Sequence, residues 1–168
     1  DPRFTKTAAK ADLYAQIRPG TDIPFMYGML NIIFENGWQD KNFISDRVFG
    51  MDLIMAEAKN WPLERVADVT GVKADLILQI TKLYAAAKPG TLIWAMGLTQ
   101  HTNGTSNTRM APILQLALGN MGVEGGGTNI LRGHDNVQGA TDFGCLSDSL
   151  PGYYGITDGA WKYFAWSW

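Results

Sequence analysis

Hydrophobic positions along the chain recur at two spacings, and the change between them divides it into elements. Thr5–Lys10 reads as a short helical turn and Ala11–Arg18 as a short extended segment closed by Pro19-Gly20. Thr21 then takes an N-cap position. Phe25, Met29, Leu30, Ile33 and Phe34 follow at three- and four-residue intervals, which predicts a helix that stops at Asn36-Gly37. Pro24 is tolerated in its first turn. Asp40–Val48, Met51–Asn60 and Pro62–Val69 read as shorter surface helices, the last ended by Gly71. Lys73–Ala87 is strongly periodic through Leu76, Ile77, Ile80, Leu83 and Tyr84, and Pro89-Gly90 terminates it.

The pattern changes at Thr91–Met96, a compact apolar run rich in strand formers and bounded by turn signals. It predicts a central, buried, parallel strand. Gly97 breaks it, Leu98–Gly104 reads as a polar loop, and a helix is expected from Thr105 or Ser106 to Asn120, closed by Gly122. Val123–Leu131 leads into a polar, glycine-rich stretch, and Asn136–Phe143 reads as the start of another helix. Alternating helix and strand signals predict an α/β fold, an open and mostly parallel sheet flanked by helices, in which ligands sit beyond the carboxyl ends of the strands. Three loops are expected at that edge: Asp1–Arg3, Gly97–Gly104 and Gly125–Gln138. The strand, loop and helix start around Gly97 read either as an anion site built from free backbone N–H groups or as an ordinary strand-to-helix turn. His101, in that loop, reads either as a ligand or base or as a solvated, hydrogen-bonded histidine.

Composition narrows the class. Of 168 residues, 46% are apolar and only 18% charged, against roughly 25% charged in soluble domains. With six tryptophans, this suggests either surfaces that partners cover or one large core. A net charge of −2 gives no bulk electrostatic case for nucleic acid, and no apolar run approaches the roughly 20 residues that span a bilayer. The single cysteine, Cys145, excludes an intrachain disulfide. The start at Asp1-Pro2-Arg3 and the aromatic end, Trp161–Trp168, suggest an internal piece of a longer protein.

The chemistry concentrates in Gly125–Asp142, GGGTNILRGHDNVQGATD. Three consecutive glycines let backbone approach a partner closely. Ile130–Leu131 delivers the one arginine, Arg132, and beyond it lie His134, Asp135, Asn136, Gln138, Thr141 and Asp142. A guanidinium offers two parallel donors that match a carboxylate, so this stretch is expected to wall an anion-processing site. On residue type alone, Arg132 could equally satisfy loop carbonyls, His134 could orient its neighbours, and Thr141 and Asp142 could be helix-start polarity. Asp1 reads either as a ribose-binding acid at a strand end or as the opener of an Asp-Pro turn. Asp22 is either a dipole-compensating residue or a partner for a base edge.

DPRFTKTAAKADLYAQIRPGTD, WAMGLTQHTNG and GGGTNILRGHDNVQGATD together resemble the catalytic subunit of molybdopterin-dependent formate dehydrogenase, over essentially the whole chain. The first two motifs are shared across the molybdopterin oxidoreductase superfamily; the third is more specific for formate dehydrogenases. The resemblance implies a Rossmann-like domain of a larger multidomain subunit, with residues 1–134 forming the second half of a molybdopterin guanine dinucleotide domain and 135–168 starting the return into a neighbouring α/β domain. It implies two molybdopterin guanine dinucleotides around one molybdenum or tungsten, and a 4Fe-4S cluster held by parts of the subunit not in this chain. Asp1, Arg3 and Asp22 would contact a guanosine part, Met96, Gly97, Thr99 and Gln100 a pterin dinucleotide, and Gly133 the cofactor. Arg132 would be the active-site arginine that orients formate, with His134 and Thr141 close to the substrate pocket or its channel; by its side-chain chemistry His134 could take the proton or tune the pocket field.

The cysteine or selenocysteine that ligates the metal and the four-cysteine cluster motif are not in this sequence; Cys145 matches neither, and no residue here is expected to bind metal. The implied partners are formate and CO2, the remainder of the catalytic subunit, an iron–sulfur electron-transfer subunit and a cytochrome as a further candidate, in the periplasm. Alternatives are a sister enzyme acting on nitrate or thiosulfate, and a non-catalytic cofactor-binding scaffold.

Overall fold

A computed structural model describes residues 1–167; Trp168, the last residue of the aromatic end, lies outside the described residues. The chain forms two compact units that divide between Ile130 and Leu131.

The first unit is organised around helix α1 (Asp22–Glu35), in which Met26, Gly28, Met29, Leu30, Asn31, Ile32 and Ile33 are all buried. Buried positions on every side mean that α1 is a central helix rather than an amphipathic cover. It packs on α3 (Met51–Ala58), α4 (Leu63–Thr70), α5 (Ala74–Ala86) and α7 (Gly104–Ala117). Leu30 and Ile33 join Met110, Leu114 and Leu118 in one apolar cluster, while Ile32 joins Val66, Val72 and Ile77 in another. A Cβ at Gly28 would lie 2.7 Å from a Val66 methyl, so glycine is what lets α1 and α4 approach. Thr21 takes the N-cap position, but its hydroxyl donates to Arg18 O at 2.6 Å rather than capping. Helix α2 (Lys41–Arg47) is capped by the Asp40 carboxylate, which accepts from Phe43 N at 2.9 Å.

Strands β1 (Thr91–Trp94) and β2 (Gly127–Ile130) pair in parallel, Thr91 opposite Gly127 and Trp94 opposite Ile130. The α/β class with a small parallel sheet and flanking helices is therefore present. Full burial of β1 is not: Ile93 is 58% exposed. The expected loop after β1 also differs, because Met96–Thr99 closes a helical turn, α6, with Gln100 N donating to Met96 O at 2.8 Å.

A buried amide pair fixes where the strands begin. Gln115, on α7 and fully buried, donates from Nε2 to Gly90 O at 2.7 Å and to Gly127 O, one residue before β1 and the first of β2. Its Oε1 accepts from Tyr84 at 2.6 Å and from Asn120 Nδ2 at 3.0 Å, and Asn120 Oδ1 accepts from Gly90 N at 3.2 Å. The Gly125–Gly127 run serves this end of the sheet. Gly125 and Gly127 have φ of 77° and 88°, and a Cβ at Gly126 would meet Asn120 O at 2.3 Å. These glycines thus build the turn entering β2 at its amino end, not the ligand-facing edge that the sequence suggested.

Burial raises the Tyr84 phenol to about 12. A raised folded-state pKa contributes stability that is complete below the unfolded value near 10 and is lost as pH climbs through 12. Wild-type subunit is therefore expected to lose stability between pH 10 and 12 more steeply than Tyr84→Phe, read from denaturant midpoints at each pH. Parallel curves would contradict it.

The second unit contains α8 (Val137–Asp142), capped by the Asn136 side chain, an antiparallel pair β3 (Ser149–Leu150) and β4 (Tyr154–Gly155), and α9 (Asp158–Ser167). Its aromatic residues contact one another: Tyr154 lies 5.7 Å from Tyr163 and, edge-on, 5.6 Å from Phe164 between ring centroids. Trp166 stays 81% exposed. No helix among the described residues is long and apolar enough to cross a membrane.

Candidate functional site

A cavity of about 470 Å³ opens at the carboxyl end of β1. Its walls come from three places that the sequence keeps apart. Asp1 and Pro2 form one, Ile17, Pro19, Gly20, Asp22, Phe25 and Met26 the second, and Leu92–Ala95 with Gly97, Leu98 and His101 the third. Asp1 and Asp22, from the two ends of the first motif, and Gly97, from the second, thus line one space. Arg3 lies beside it, its backbone N–H held by the Asp1 carboxylate at 2.8 Å. Tyr14 donates its hydroxyl to Asp1 O at 2.9 Å and Gln16 Nε2 to Pro2 O at 2.9 Å, so the 14–16 segment holds the first residues in place. Met96, Thr99 and Gln100 share the α6 turn with Gly97 but do not line the cavity: Thr99 Oγ1 donates to Ala95 O at 3.3 Å, and Gln100 Nε2 reaches Met96 Sδ at 3.5 Å.

Two glycines in this region are glycine for different reasons. At Gly104 a Cβ would fall 1.9 Å from Thr99 O, so the fold itself excludes one. At Gly97 a Cβ would meet nothing within 4 Å, and the backbone there is not left-handed. The chain's own packing does not require the missing side chain at Gly97; a ligand resting on that backbone would. Replacing Gly97 by leucine is expected to change stability by less than ~0.5 kcal/mol while lowering bound cofactor at least about tenfold, a loss of ~1.4 kcal/mol in binding. Denaturation and cofactor assay of the intact enzyme read the two effects, and full cofactor content would contradict the site.

His101 Nε2 lies 2.9 Å from Gly97 O. A carbonyl only accepts, so Nε2 carries the proton and Nδ1 is left as the open ring nitrogen. Trp94, read from the sequence only as a strand former, lines the cavity with a buried indole N–H that has no acceptor among the described residues.

The remaining candidates lie in the second unit. Arg132 is exposed, and among the described residues no loop carbonyl accepts from it. The arginine is therefore not consumed by its own loop. Its charge lowers the proton affinity of the Tyr153 phenol, against the larger opposing effect of the Asp142 carboxylate, to which Tyr153 donates a hydrogen bond. Gly133 and His134 are exposed beside it. Thr141 is buried and donates its hydroxyl to Val137 O at 2.9 Å, so its polar atom is engaged within α8. Cys145 is free and exposed, and among the described residues no group of three His, Cys, Asp or Glu side chains could hold a metal ion.

Residues 1–156 match the molybdopterin oxidoreductase family model, and the chain belongs to that family. The family implies a molybdopterin cofactor with its metal. Two relatives sharpen the comparison. The F420-dependent formate dehydrogenase subunit alpha of Methanocaldococcus jannaschii is 39% identical over 95% of this chain and 24% of its own length. Formate dehydrogenase H of Escherichia coli is 37% identical over 95% of this chain and 22% of its own. Among solved structures, acetylene hydratase from Pelobacter acetylenicus superposes with a TM-score of 0.71 at 30% identity, covering 74% of this chain and 17% of that one. The chain thus spans about a quarter of the length of these curated relatives. The residues around the cavity fit such a cofactor: an open glycine backbone at Gly97, and the carboxylates of Asp1 and Asp22, which can accept from hydroxyl or amide groups.

Proposed function

We propose that this chain forms part of the catalytic subunit of a formate dehydrogenase, which oxidises formate to CO2 with release of two electrons and one proton. The observation that carries the reading is the guanidinium of Arg132, unclaimed by its own loop, in a chain whose relatives are named formate dehydrogenases. The cofactor in this reading is bis-molybdopterin guanine dinucleotide with molybdenum or tungsten. Asp1, Arg3 and Asp22 hold a guanosine part, and Met96, Gly97, Thr99 and Gln100 lie along a dinucleotide. When bound, the metal–pterin group supplies the two-electron acceptor.

Arg132 binds the formate carboxylate through two charge-assisted hydrogen bonds and so directs the C–H bond away from the guanidinium. Neutral CO2 loses that charge pairing, which favours release of product over substrate. His134, a side-chain type that exchanges protons near neutral pH, takes up the proton. A 4Fe-4S cluster elsewhere in the subunit and an iron–sulfur partner subunit carry the electrons onward, a view supported by relatives named as alpha subunits. In the same reading the enzyme is periplasmic, residues 1–134 belong to the dinucleotide domain, and 135–168 begin the neighbouring one.

The likeness to acetylene hydratase favours keeping a sister enzyme as the second reading, since one fold here hosts different chemistry. Dye reduction by the intact enzyme separates them. Formate-dependent reduction is expected; activity with nitrate or thiosulfate and none with formate would favour the sister enzyme, and no activity together with no bound molybdenum or tungsten would favour a scaffold.

A further inference from the structure

The α6 turn in the cavity wall is held by groups that no motif pointed to. Helices α6 and α7 meet backbone to backbone, since Thr99 O occupies the place a Cβ at Gly104 would take. Gly104 N also donates to His101 O at 2.9 Å, which fastens the end of the turn to the start of α7. Across that contact, Asn107 Nδ2 donates to Leu98 O at 3.1 Å, and from the cavity side His101 donates to Gly97 O at 2.9 Å. Two successive carbonyls, of Gly97 and Leu98, are therefore pinned by side chains.

Asn107 is only 1% exposed, and its Oδ1 has no hydrogen-bond partner among the described residues. Burying an unpaired amide oxygen is costly, and an apolar side chain would fill the same place without that cost. The amide therefore has a use besides packing. The one hydrogen bond it makes ends on a residue whose neighbours, Gly97 and Leu98 itself included, line the cavity.

We propose that Asn107 is a positioning residue for the cavity's ligand: by holding the Leu98 carbonyl it fixes the Gly97–Leu98 backbone against which that ligand rests. The ligand, by the functional reading above on which this proposal rests, is a pterin dinucleotide. Asn107 itself does not touch it. Its donor sets the orientation of the peptide planes that do, while Gly104 permits the approach and His101 closes the turn.

Asn107→Leu removes the donor at similar volume, and Asn107→Asp keeps the shape but replaces the donor by an acceptor. The intact enzyme is purified in each form and assayed for molybdenum or tungsten and for guanosine nucleotide released by acid, alongside its unfolding midpoint. Both variants are expected to retain at least fivefold less cofactor than wild type; Asn107→Leu, which removes the unpaired oxygen together with the donor, is expected to unfold near the wild-type midpoint, whereas Asn107→Asp, which buries a carboxylate, is expected to unfold earlier. In the molecules that remain loaded, turnover per bound cofactor is expected to stay within twofold of wild type, because Asn107 takes no part in the chemistry. Full cofactor content in either variant would overturn the proposal. So would failure of both to fold, since Asn107 would then serve the core alone. Wild-type enzyme devoid of pterin would sink the cofactor reading together with this proposal, whereas pterin-loaded wild type that ignores formate would sink the substrate reading alone.

Discussion

Arg132→Ala is expected to lower kcat/KM for formate about 10³-fold, a loss of ~4 kcal/mol in transition-state binding. Formate is small, so remote contacts cannot make up for a lost anchor, and its two oxygens match the two parallel N–H groups of one guanidinium. Arg132→Lys keeps the charge and loses the fork, so a drop of about 10²-fold is expected. Both effects are read from initial rates of dye reduction against formate concentration. Arg132 is exposed and donates to no loop carbonyl among the described residues, so neither variant should shift the unfolding midpoint. Unchanged kinetics in Arg132→Ala would remove the residue from the reaction.

The second large effect is structural. Gln115→Ala is expected to cost about 4 kcal/mol, because it strands four groups at once: the Tyr84 hydroxyl, the Asn120 amide and the carbonyls of Gly90 and Gly127. The amide joins α5 and α7 to the residue before β1 and to the first residue of β2, so its loss frees the register of the parallel pair. Amide exchange in Thr91–Trp94 and Gly127–Ile130 is expected to speed up by about 10³-fold, with smaller changes in α3 and α4. Exchange that rises equally everywhere would mean that Gln115 supports the core in general and not the sheet.

How much of this was legible in the sequence depends on what carries each feature. Helices α1, α5 and α7 announce themselves because apolar side chains must repeat with the helical period to reach a core. The left-handed end at Gly71, with φ of 74°, sits where glycine signals a stop, whereas α7 ends at Ala117, ahead of Gly119 with φ of 70°, and not at the expected Asn120 before Gly122. The parallel pairing of β1 was expected from its apolar run, but its exposed Ile93 was not, since burial on a sheet face depends on what lies opposite. Gln115 left a faint trace: it is a polar residue within the buried stripe Met110, Ala111, Leu114 and Leu118. A polar group on an apolar face asks for partners, and nothing local says that these are two strand ends.

The site divides the same way. Asp1 and Gly97 could be drawn together because the α/β rule puts such loops at one sheet edge, whereas Asp22 joined them only through the family resemblance. Trp94 and Asn107 could not, as an indole in a strand and an amide in a helix look ordinary until their unpaired atoms are seen. The glycine triplet at 125–127 misled for a definite reason: glycine marks close approach without saying to what, and here it approaches the chain's own Asn120 backbone. In the second unit, the contacts of Tyr154 in β4 with Tyr163 and Phe164 of α9, tilted and edge-on, join a strand to a helix, and no periodicity foretells them.

The most direct measurement is an experimental structure of the intact enzyme with formate bound. Both formate oxygens are expected about 2.7–2.9 Å from the Arg132 guanidinium nitrogens, with the C–H directed at the metal–pterin centre. A guanidinium turned to bulk solvent, with formate held elsewhere or not at all, would contradict it.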